Sequence, residues 1–363
     1  MTRRTPLEQN SQESQIILTK EKKALRKERV LLIVLVIMLI GALMISLGFG
    51  RYSIPIEQLF RVLGQKISGK APLPEDKEAD LVLFLIRLPR LLLNIMVGAA
   101  LSVSGASFQG LFRNPMVSPG ILGVSSAAGA GAALAILLNM NTLGVNLTAF
   151  FFGIGAVLLV MLLSRLVRHG GGALIVMVLS GVVISSIFRA LTSLAKYVAD
   201  ADKKLPEITF WLMGSFAKSG NARNVVVMGI ALLLGVAPLM AMRRRMNVLT
   251  FSEDEAQSMG VNVKRMRYLI IICSTLLTAT SVCLCGTIEW IGLIIPHITR
   301  LMVGPNYRIL LPASMLSGSI FMVVVDNFCR SIIPGELPIG VVTSLIGAPM
   351  FIYMLFKSRR ELT

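Results

Sequence analysis

The sequence predicts an all-α integral membrane protein with about ten transmembrane helices, and three observations support this. The 363 residues are 55% hydrophobic and only 15% charged, with a mean hydropathy of +0.75, whereas soluble domains are roughly a quarter charged. The apolar residues form ten runs, most of them near the ~20 residues that a helix needs to cross a bilayer. Aromatic residues make up only 6% of the chain, which argues against the aromatic girdles of an outer-membrane barrel.

The chain opens with a polar, basic segment, 1–29, followed by the first apolar run, 30–49. This run is too long for the apolar core of a signal peptide, so we expect an anchored first helix behind a cytoplasmic N-terminal segment. The remainder, 30–363, is predicted to be a single ten-span domain. Segment 50–86 is of mixed polarity and carries an apolar stripe typical of a short amphipathic helix on the outer surface. The stripe consists of Ile56, Leu59, Phe60 and Leu63.

Nine further apolar runs complete the domain. They are rich in glycine and alanine, which permit close packing of membrane helices. The runs lie at about 88–111, 118–139, 147–167, 172–195, 223–242, 268–287, 288–303, 309–332 and 338–356.

The positive charge of the chain predicts its topology. The formal net charge is +17, from 36 Lys and Arg against 19 Asp and Glu, and most of the excess lies in loops between the apolar runs. The positive-inside rule accounts for this pattern better than nucleic-acid binding does. Loop 243–267, with Arg243, Arg244 and Arg245, is therefore predicted to be cytoplasmic, as are both termini. The lipid bilayer is an expected partner and nucleic acid is not.

Neither a catalytic nor a metal site is predicted for the chain. Its four cysteines lie in or at the ends of apolar runs, where packing is the favoured role, although Cys283 and Cys285 leave metal contact open. The two histidines are far apart in the sequence. Residues 64–70 have the spacing of a phosphate-binding loop, but Ala71 stands where that loop needs Ser or Thr.

Charged residues within apolar runs are the better functional candidates, because burying a charge in a membrane is costly. Asp326 and Arg330 are spaced i, i+4 and can form an ion pair on one helix. Glu289 lies between two apolar runs without a cation nearby in the sequence. We therefore predict that Glu289 either lines a water-filled path or pairs with a basic group. Arg330 is its most plausible intrachain partner, although Asp326 competes for Arg330.

Loop 243–267 contains a predicted short helix. Ser252 and Glu255 have the spacing of a capping box, and Gly260 can end the helix. Ala256 and Gly260 are expected to share one face, which another protein could approach closely. By composition alone, a solvated connector remains an equally open interpretation.

Several motifs together resemble the FecCD family, the permease subunits of ABC importers for iron chelates, haem and cobalamin. They occur in order from residue 86 to near the C-terminus and span about three-quarters of the chain. These motifs are Ile86–Arg90, Val97–Leu101 with Gly105, Arg113–Ser125, Phe210–Ser215, Gly260–Val263, Gly292–Arg300, Glu336–Thr343 and Gly347–Pro349.

The resemblance implies a bundle like the cobalamin permease in the cytoplasmic membrane of a bacterium or archaeon. The resemblance also implies the partners: a second copy of the permease, two cytoplasmic ATPase subunits and an extracytoplasmic substrate-binding protein. ATP and Mg would belong to the ATPase, and this subunit would bind no cofactor. By motif, Arg87 and Arg90 are implied to dock the binding protein, with Arg330 as a third position. Anchoring of Arg87 and Arg90 to lipid headgroups stays an alternative.

The resemblance also identifies segment 251–263 with the coupling region that contacts the ATPase. The implied contact residues are Phe251, Ser252, Ala256, Met259, Gly260 and Val261. Phe251 and Ser252 replace the usual Leu-Gly of the family, and Met259 replaces the common Leu. Glu289 also departs from the small or apolar residue that family members carry.

The implied function is ATP-driven import of an iron chelate, a ferric siderophore, with cobalamin or haem as alternatives. An ion-gradient-driven secondary transporter ranks lower, because it should offer midplane carboxylates or broken helices. An intramembrane enzyme would need a nucleophile and base within reach of each other, and the sequence shows no such pair.

Overall fold

The computed structural model describes residues 6–48, 52, 54–167, 173–217, 219–251, 253–333 and 335–360. Within these ranges the chain is helical and contains no strand. The α-helices are α1 (Pro6–Gly48), α2 (Ile56–Ile67), α3 (Lys77–Leu81), α4 (Leu88–Leu111), α5 (Val124–Leu137), α6 (Thr142–Leu166), α7 (Ala173–Val198), α8 (Lys204–Met213), α9 (Ala222–Met242), α10 (Glu253–Ser258), α11 (Val263–Cys285), α12 (Ile291–Val303), α13 (Tyr307–Ile332) and α14 (Ile339–Arg360).

The predicted all-α membrane bundle is confirmed. Seven helices of the described chain are long and apolar enough to cross a membrane, and three shorter apolar helices accompany them. The shorter ones are Val124–Leu137, Ile291–Val303 and Ile339–Met354. Together they account for the ten predicted runs. Helix α8, which lies between the fifth and sixth runs, was not predicted from the sequence.

Helix α4 forms the centre of the bundle and packs against α9, α11, α12 and α13. Two crossings depend on paired glycines. A Cβ on Gly98 would lie 2.3 Å from the carbonyl oxygen of Gly318, and one on Gly105 would lie 1.7 Å from that of Gly292. The predicted role of small residues in close helix packing is therefore confirmed at these crossings.

The two ends of the bundle can be told apart by their contacts. Arg90, near the start of α4, bonds to Asp326, near the end of α13. Arg113, just past the end of α4, bonds to residues 249 and 251. A 24-residue helix is about 36 Å long, so these contacts mark opposite ends. We call them the α2 end and the α10 end.

Helices α5 and α12 begin inside the bundle, and each is preceded by a backbone turn. Pro119–Leu122 forms a 3₁₀ turn, and Gly123 follows at φ 84° before α5 begins. Trp290 precedes α12 at φ 71°. Gly292 lies against Leu101 and Gly105, in the middle of α4. The predicted runs 118–139 and 288–303 were therefore too long at their starts.

The predicted amphipathic helix is α2, which folds onto the segment before α4. Leu59 and Val62 are buried, while Ile56 and Phe60 are exposed, so the predicted stripe divides between two faces. The reason is a set of polar bonds between α2 and the segment that follows it. Asp76 accepts hydrogen bonds from Arg61 at 2.8 and 2.9 Å, and this holds α2 in one rotation.

Candidate functional site

The three arginines assigned to docking lie at the α2 end, in a buried network. Arg90 is 8% exposed and donates hydrogen bonds to Asp326 at 2.8 Å and to Glu336 at 3.0 Å. Arg330 pairs with the same Asp326 at 3.2 Å. Its guanidinium also donates to Ser46 of α1 at 2.8 Å. The predicted Asp326–Arg330 ion pair is therefore confirmed, and it belongs to a larger network that joins α1, α4, α13 and the segment before α14.

Arg87 is also buried, but its partners are different. Its guanidinium donates to the backbone carbonyls of Leu47 and Tyr52, at the end of α1 and just beyond it. All three arginines thus have partners within their own chain. Their docking role stays a prediction, and it would require them to exchange an internal partner for an external one. Arg330 is not the partner of Glu289, so that expectation was wrong.

The predicted short helix in loop 243–267 is α10, and Gly260 follows it at φ 75°, as expected of a helix terminator. Ser252 lies outside the described residues. Ala256 is 1% exposed and packs into the core of its own chain, whereas Gly260 is exposed. The expectation that Ala256 and Gly260 share one outward face was wrong. Helix α10 packs against the 3₁₀-helical segment Arg245–Thr250 and against α11, and Ala256 is buried in the core.

Larger apolar side chains mark the outward surface of this segment. Phe251 is 46% exposed and Met259 is 55% exposed. Val261 is half-buried against the core. Exposed apolar side chains on a loop at the end of a membrane bundle are typical of a contact surface for another protein. The contact role of Phe251, Met259, Gly260 and Val261 stays a prediction.

Arg113 holds this coupling segment to the bundle. Its Nε donates to the carbonyl of Leu249 at 2.6 Å, and an Nη donates to the carbonyl of Phe251. Arg113 has a backbone φ of 49°, which is uncommon for a residue other than glycine. The same backbone continues into Ser118–Ile121, which line a cavity described below. Arg113 therefore connects the start of α10 to the cavity wall.

A second chain of hydrogen bonds runs in parallel at the α10 end. Asn247 accepts from the backbone N–H of Tyr307 at 2.8 Å, and Arg300 donates to the Tyr307 hydroxyl at 3.2 Å. Arg300 also donates to Gln109 at 3.3 Å, and Gln109 donates to the carbonyl of Leu293 at 3.0 Å. Leu293 lies on the cavity wall. Two hydrogen-bonded routes thus link segments 245–251 and 253–258 to the cavity lining.

The cavity has a volume of about 390 Å³ and lies where α5, α7, α11 and α12 meet. Glu289 lines it, and the side chain is exposed. Arg189 of α7 lines the same cavity. Arg189 was not among the predicted site residues, although a lone arginine within the run 172–195 was a visible signal. Among the described residues, no three His, Cys, Asp or Glu side chains come together as metal ligands would.

Comparison with known proteins identifies the family. Residues 34–357 match the FecCD transport family. The chain is 40% identical over 326 residues to the molybdate import system permease protein MolB of Haemophilus influenzae, covering 90% of this chain and 95% of that protein. It is 39% identical over 285 residues to a probable iron chelatin transport system permease protein of Helicobacter pylori, covering 78% and 85%.

A solved structure supports the same assignment. The chain superposes with a TM-score of 0.80 and 40% identity on a putative metal-chelate type ABC transporter in an inward-facing conformation. The match covers 90% of this chain and 98% of that one. Together with the ten apolar helices, these matches show that the chain belongs to the FecCD transport family and is the permease subunit of an ABC importer.

Proposed function

We propose that this permease imports an iron chelate across the cytoplasmic membrane, driven by ATP hydrolysis on a separate ATPase subunit. The observation that carries the ATP-driven part is the coupling segment at the α10 end. It presents exposed Phe251 and Met259 and is bonded to the bundle through Arg113. Such a surface can receive force from a partner and pass it on, which a solvated connector cannot do.

The proposed orientation places the α10 end in the cytoplasm. Arg243, Arg244 and Arg245 lie at this end, in agreement with the positive-inside rule. α1 runs from the α10 end to the α2 end, where Ser46 meets Arg330, and α14 begins beyond the α2 end of α13. Both termini are then cytoplasmic. The α2 end faces the binding protein.

The proposed mechanism is alternating access, with no covalent chemistry in this subunit. Closure of two ATPase subunits moves α10, and the bonds of Arg113 carry that movement to the loop that ends at Ser118–Ile121. The cavity between α5, α7, α11 and α12 then changes the side to which it opens. A second copy of the permease completes the path. ATP and Mg belong to the ATPase, and this subunit holds no cofactor.

Molybdate is the second candidate cargo, and two observations favour it. The relative from Haemophilus influenzae, named for molybdate import, aligns over 90% of this chain. In addition, the cavity wall carries an arginine, Arg189, and an anion needs a cation. Cobalamin and haem, which the family resemblance also suggested, lack a specific observation in this cavity.

The test is reconstituted transport. The permease is purified with the ATPase and binding protein from adjacent genes and placed in liposomes containing ATP, and uptake of radioactive ferric siderophore and of molybdate is measured separately. We expect uptake of one cargo that stops with a hydrolysis-dead ATPase and persists after an ionophore collapses ion gradients. Uptake that follows the ion gradient and ignores ATP would overturn the proposal.

A pair of variants tests the coupling surface in the same assay. Met259→Asp places a charge in the exposed apolar patch, and we expect loss of ATPase copurification. Arg308→Gln, an exposed residue at the same end but outside segment 251–263, is the matched control and should copurify normally. Equal ATPase yield for the two variants would contradict a contact at Met259.

A further inference from the structure

The cavity that Glu289 lines has an unusual wall, because two helices begin at it. Ser125 and Ser126, in the first turn of α5, line the cavity, and so do Trp290 and Gly292 at the start of α12. These helices have 14 and 13 residues. The first N–H groups of a helix have no partner within the helix and carry partial positive charge. Neither helix has a side-chain cap. In α12 the N–H groups of Ile291 and Leu293 donate to the carbonyls of Glu289 and Trp290, which leaves the N–H of Gly292, whereas no such bond is formed by the first three N–H groups of α5 among the described residues.

A buried hydroxyl on the same wall also lacks a partner. Thr278 of α11 is 4% exposed, and its Oγ1 has no hydrogen bond within the described chain. Other hydroxyls in the bundle donate to a carbonyl one turn earlier, as Ser281 of the same helix does to Leu277 at 2.7 Å, but Thr278 does not. A buried hydroxyl without a partner costs about 1–3 kcal/mol. Thr278 faces the cavity, where a ligand oxygen would remove that cost.

Arg189 supplies a full positive charge. Its Nε makes a single hydrogen bond, 3.3 Å long, to the carbonyl of Ser185 one turn earlier on α7. Among the described residues it forms no ion pair, although Arg90 forms two and Arg330 forms one. Arg189 is exposed and lies within a candidate membrane span, and a charged residue there without an acidic partner points to a ligand or a water-filled path. Its planar fork suits pairs of anionic oxygen atoms.

Among the described residues that line the cavity, Glu289 is the one carboxylate. It makes no ion pair within the described chain, so it does not neutralise Arg189. The described lining of the cavity therefore carries one negative carboxylate, one positive guanidinium and two helix N-termini with partial positive charge. The balance favours an anion.

We propose that this cavity is a binding site for the anionic oxygen atoms of the cargo. Arg189 forms the ion pair, and the hydroxyl of Thr278, the first N–H groups of α5 and the N–H of Gly292 at the start of α12 donate hydrogen bonds. This inference rests on the proposed transport function and adds a ligand chemistry to it. A free tetrahedral oxyanion and the carboxylate or catecholate oxygens of an iron chelate share that chemistry.

Tryptophan fluorescence gives a direct test, because Trp290 lies on the cavity wall and the chain has only two tryptophans. The ATPase complex carrying Trp211→Phe in the permease, with tryptophan-free partner subunits, is placed in lipid nanodiscs and titrated with sodium molybdate or with ferric citrate. We expect a saturable change with at least one probe. Molybdate alone identifies a free oxyanion, ferric citrate alone identifies a chelate, and a response to neither overturns the proposal.

Variants assign the response to the wall. Arg189→Gln should raise Kd about tenfold or more, and Arg189→Lys should restore part of the affinity. Thr278→Val keeps the shape and should raise Kd by a smaller factor. Arg223→Gln, at an exposed arginine at the start of α9, is the matched control and should bind like the parent. A parent-like Kd for Arg189→Gln would overturn the proposal.

Transport separates this inference from the function beneath it. If the parent complex shows ATP-dependent uptake and Arg189→Gln transports equally well, the anion site is wrong and the importer stands. If the parent complex shows no ATP-dependent uptake of any cargo, the proposed function itself fails, whatever the fluorescence shows.

Discussion

Two regions of this bundle hold charged side chains within helices, and they differ in how those charges are satisfied. At the α2 end, Arg90 and Arg330 share Asp326, which is 1% exposed. In the cavity, Arg189 and Glu289 lie on one wall without an ion pair to any described residue. The first arrangement is closed and joins helices, whereas the second leaves polar groups free. The difference teaches that a charge in a membrane helix is informative only once its partners are known.

The largest expected effect comes from breaking the closed region. Asp326→Asn leaves Arg90 and Arg330 buried with only Glu336 as a counter-charge, and removing one member of a buried pair costs about 3–5 kcal/mol. We expect a clearly lower midpoint of thermal unfolding in detergent. Arg189→Gln, from the open region, should unfold like the parent. A parent-like midpoint for Asp326→Asn would mean that the network is solvated.

The same reasoning changes the outcome expected for the docking arginines. If Arg90 were exposed, its charge reversal would weaken docking alone. Because Arg90 lies between Asp326 and Glu336, Arg90→Glu would bring three carboxylates together. We therefore expect this variant to lose assembly before docking can be measured.

A second change tests whether the close packing of α4 against α12 also keeps the cavity wall in place. Gly105→Ala would press a methyl group onto Gly292, the start of α12, and overpacking costs roughly 1–3 kcal/mol. We expect a lower unfolding midpoint and a weaker Trp290 response to the cavity probe. Gly155→Ala on α6, where nothing lies within 4 Å, is the matched control. Identical unfolding curves for the two variants would show that α12 can move away without cost.

A third change tests the connection between the cavity and the coupling segment. Arg113→Lys keeps the charge but cannot make both hydrogen bonds to Leu249 and Phe251. We expect ATP hydrolysis to persist while uptake falls about tenfold, as expected for losing one hydrogen bond to a charged group. Arg265→Lys, exposed near the start of α11, is the control. A parent-like ratio of uptake to hydrolysis in Arg113→Lys would exclude this route.

The smallest expected effect is at the open carboxylate. Glu289→Gln removes one negative charge near Arg189 and keeps the side-chain shape, so anion affinity should rise by roughly fivefold at most. Slower release should then lower uptake while assembly and basal hydrolysis stay intact. Loss of assembly would instead show that Glu289 is structural. Parent-like affinity and uptake together would show that it is neutral.

Local patterns in the sequence predicted much of this structure. The apolar runs marked the spanning helices, and the i, i+4 spacing marked the pair of Asp326 and Arg330. The capping box marked α10 near its observed start. Each of these depends on residues that are neighbours along one helix, so the physics is contained within a few turns.

The features that sequence reasoning missed depend on distant partners or on backbone turns. Arg90 and Asp326 are 236 residues apart, so their bond was invisible along the chain. Ala256 faces inward, and α10 packs against segment Arg245–Thr250 and α11, which the pattern of the short helix itself does not reveal. Trp290 adopts a left-handed conformation that its residue type does not announce, and this shortens α12. Arg189 alone was visible in advance, as a cation in an apolar run.

The uneven burial of the helices has a consequence for how the chain is assembled during synthesis. The spanning part of α1 is 11% buried, so it can leave the translocon and rest in lipid without a protein partner. Its main contact is α13, which emerges more than two hundred residues later. By contrast, 78% of the span in α11 is buried, and α11 carries hydroxyl side chains that lipid cannot satisfy. We therefore expect α11 to pack against α4 and α9 as it leaves the translocon. The hydrogen bond from Arg330 to Ser46 should form late in folding, once α13 has been synthesised.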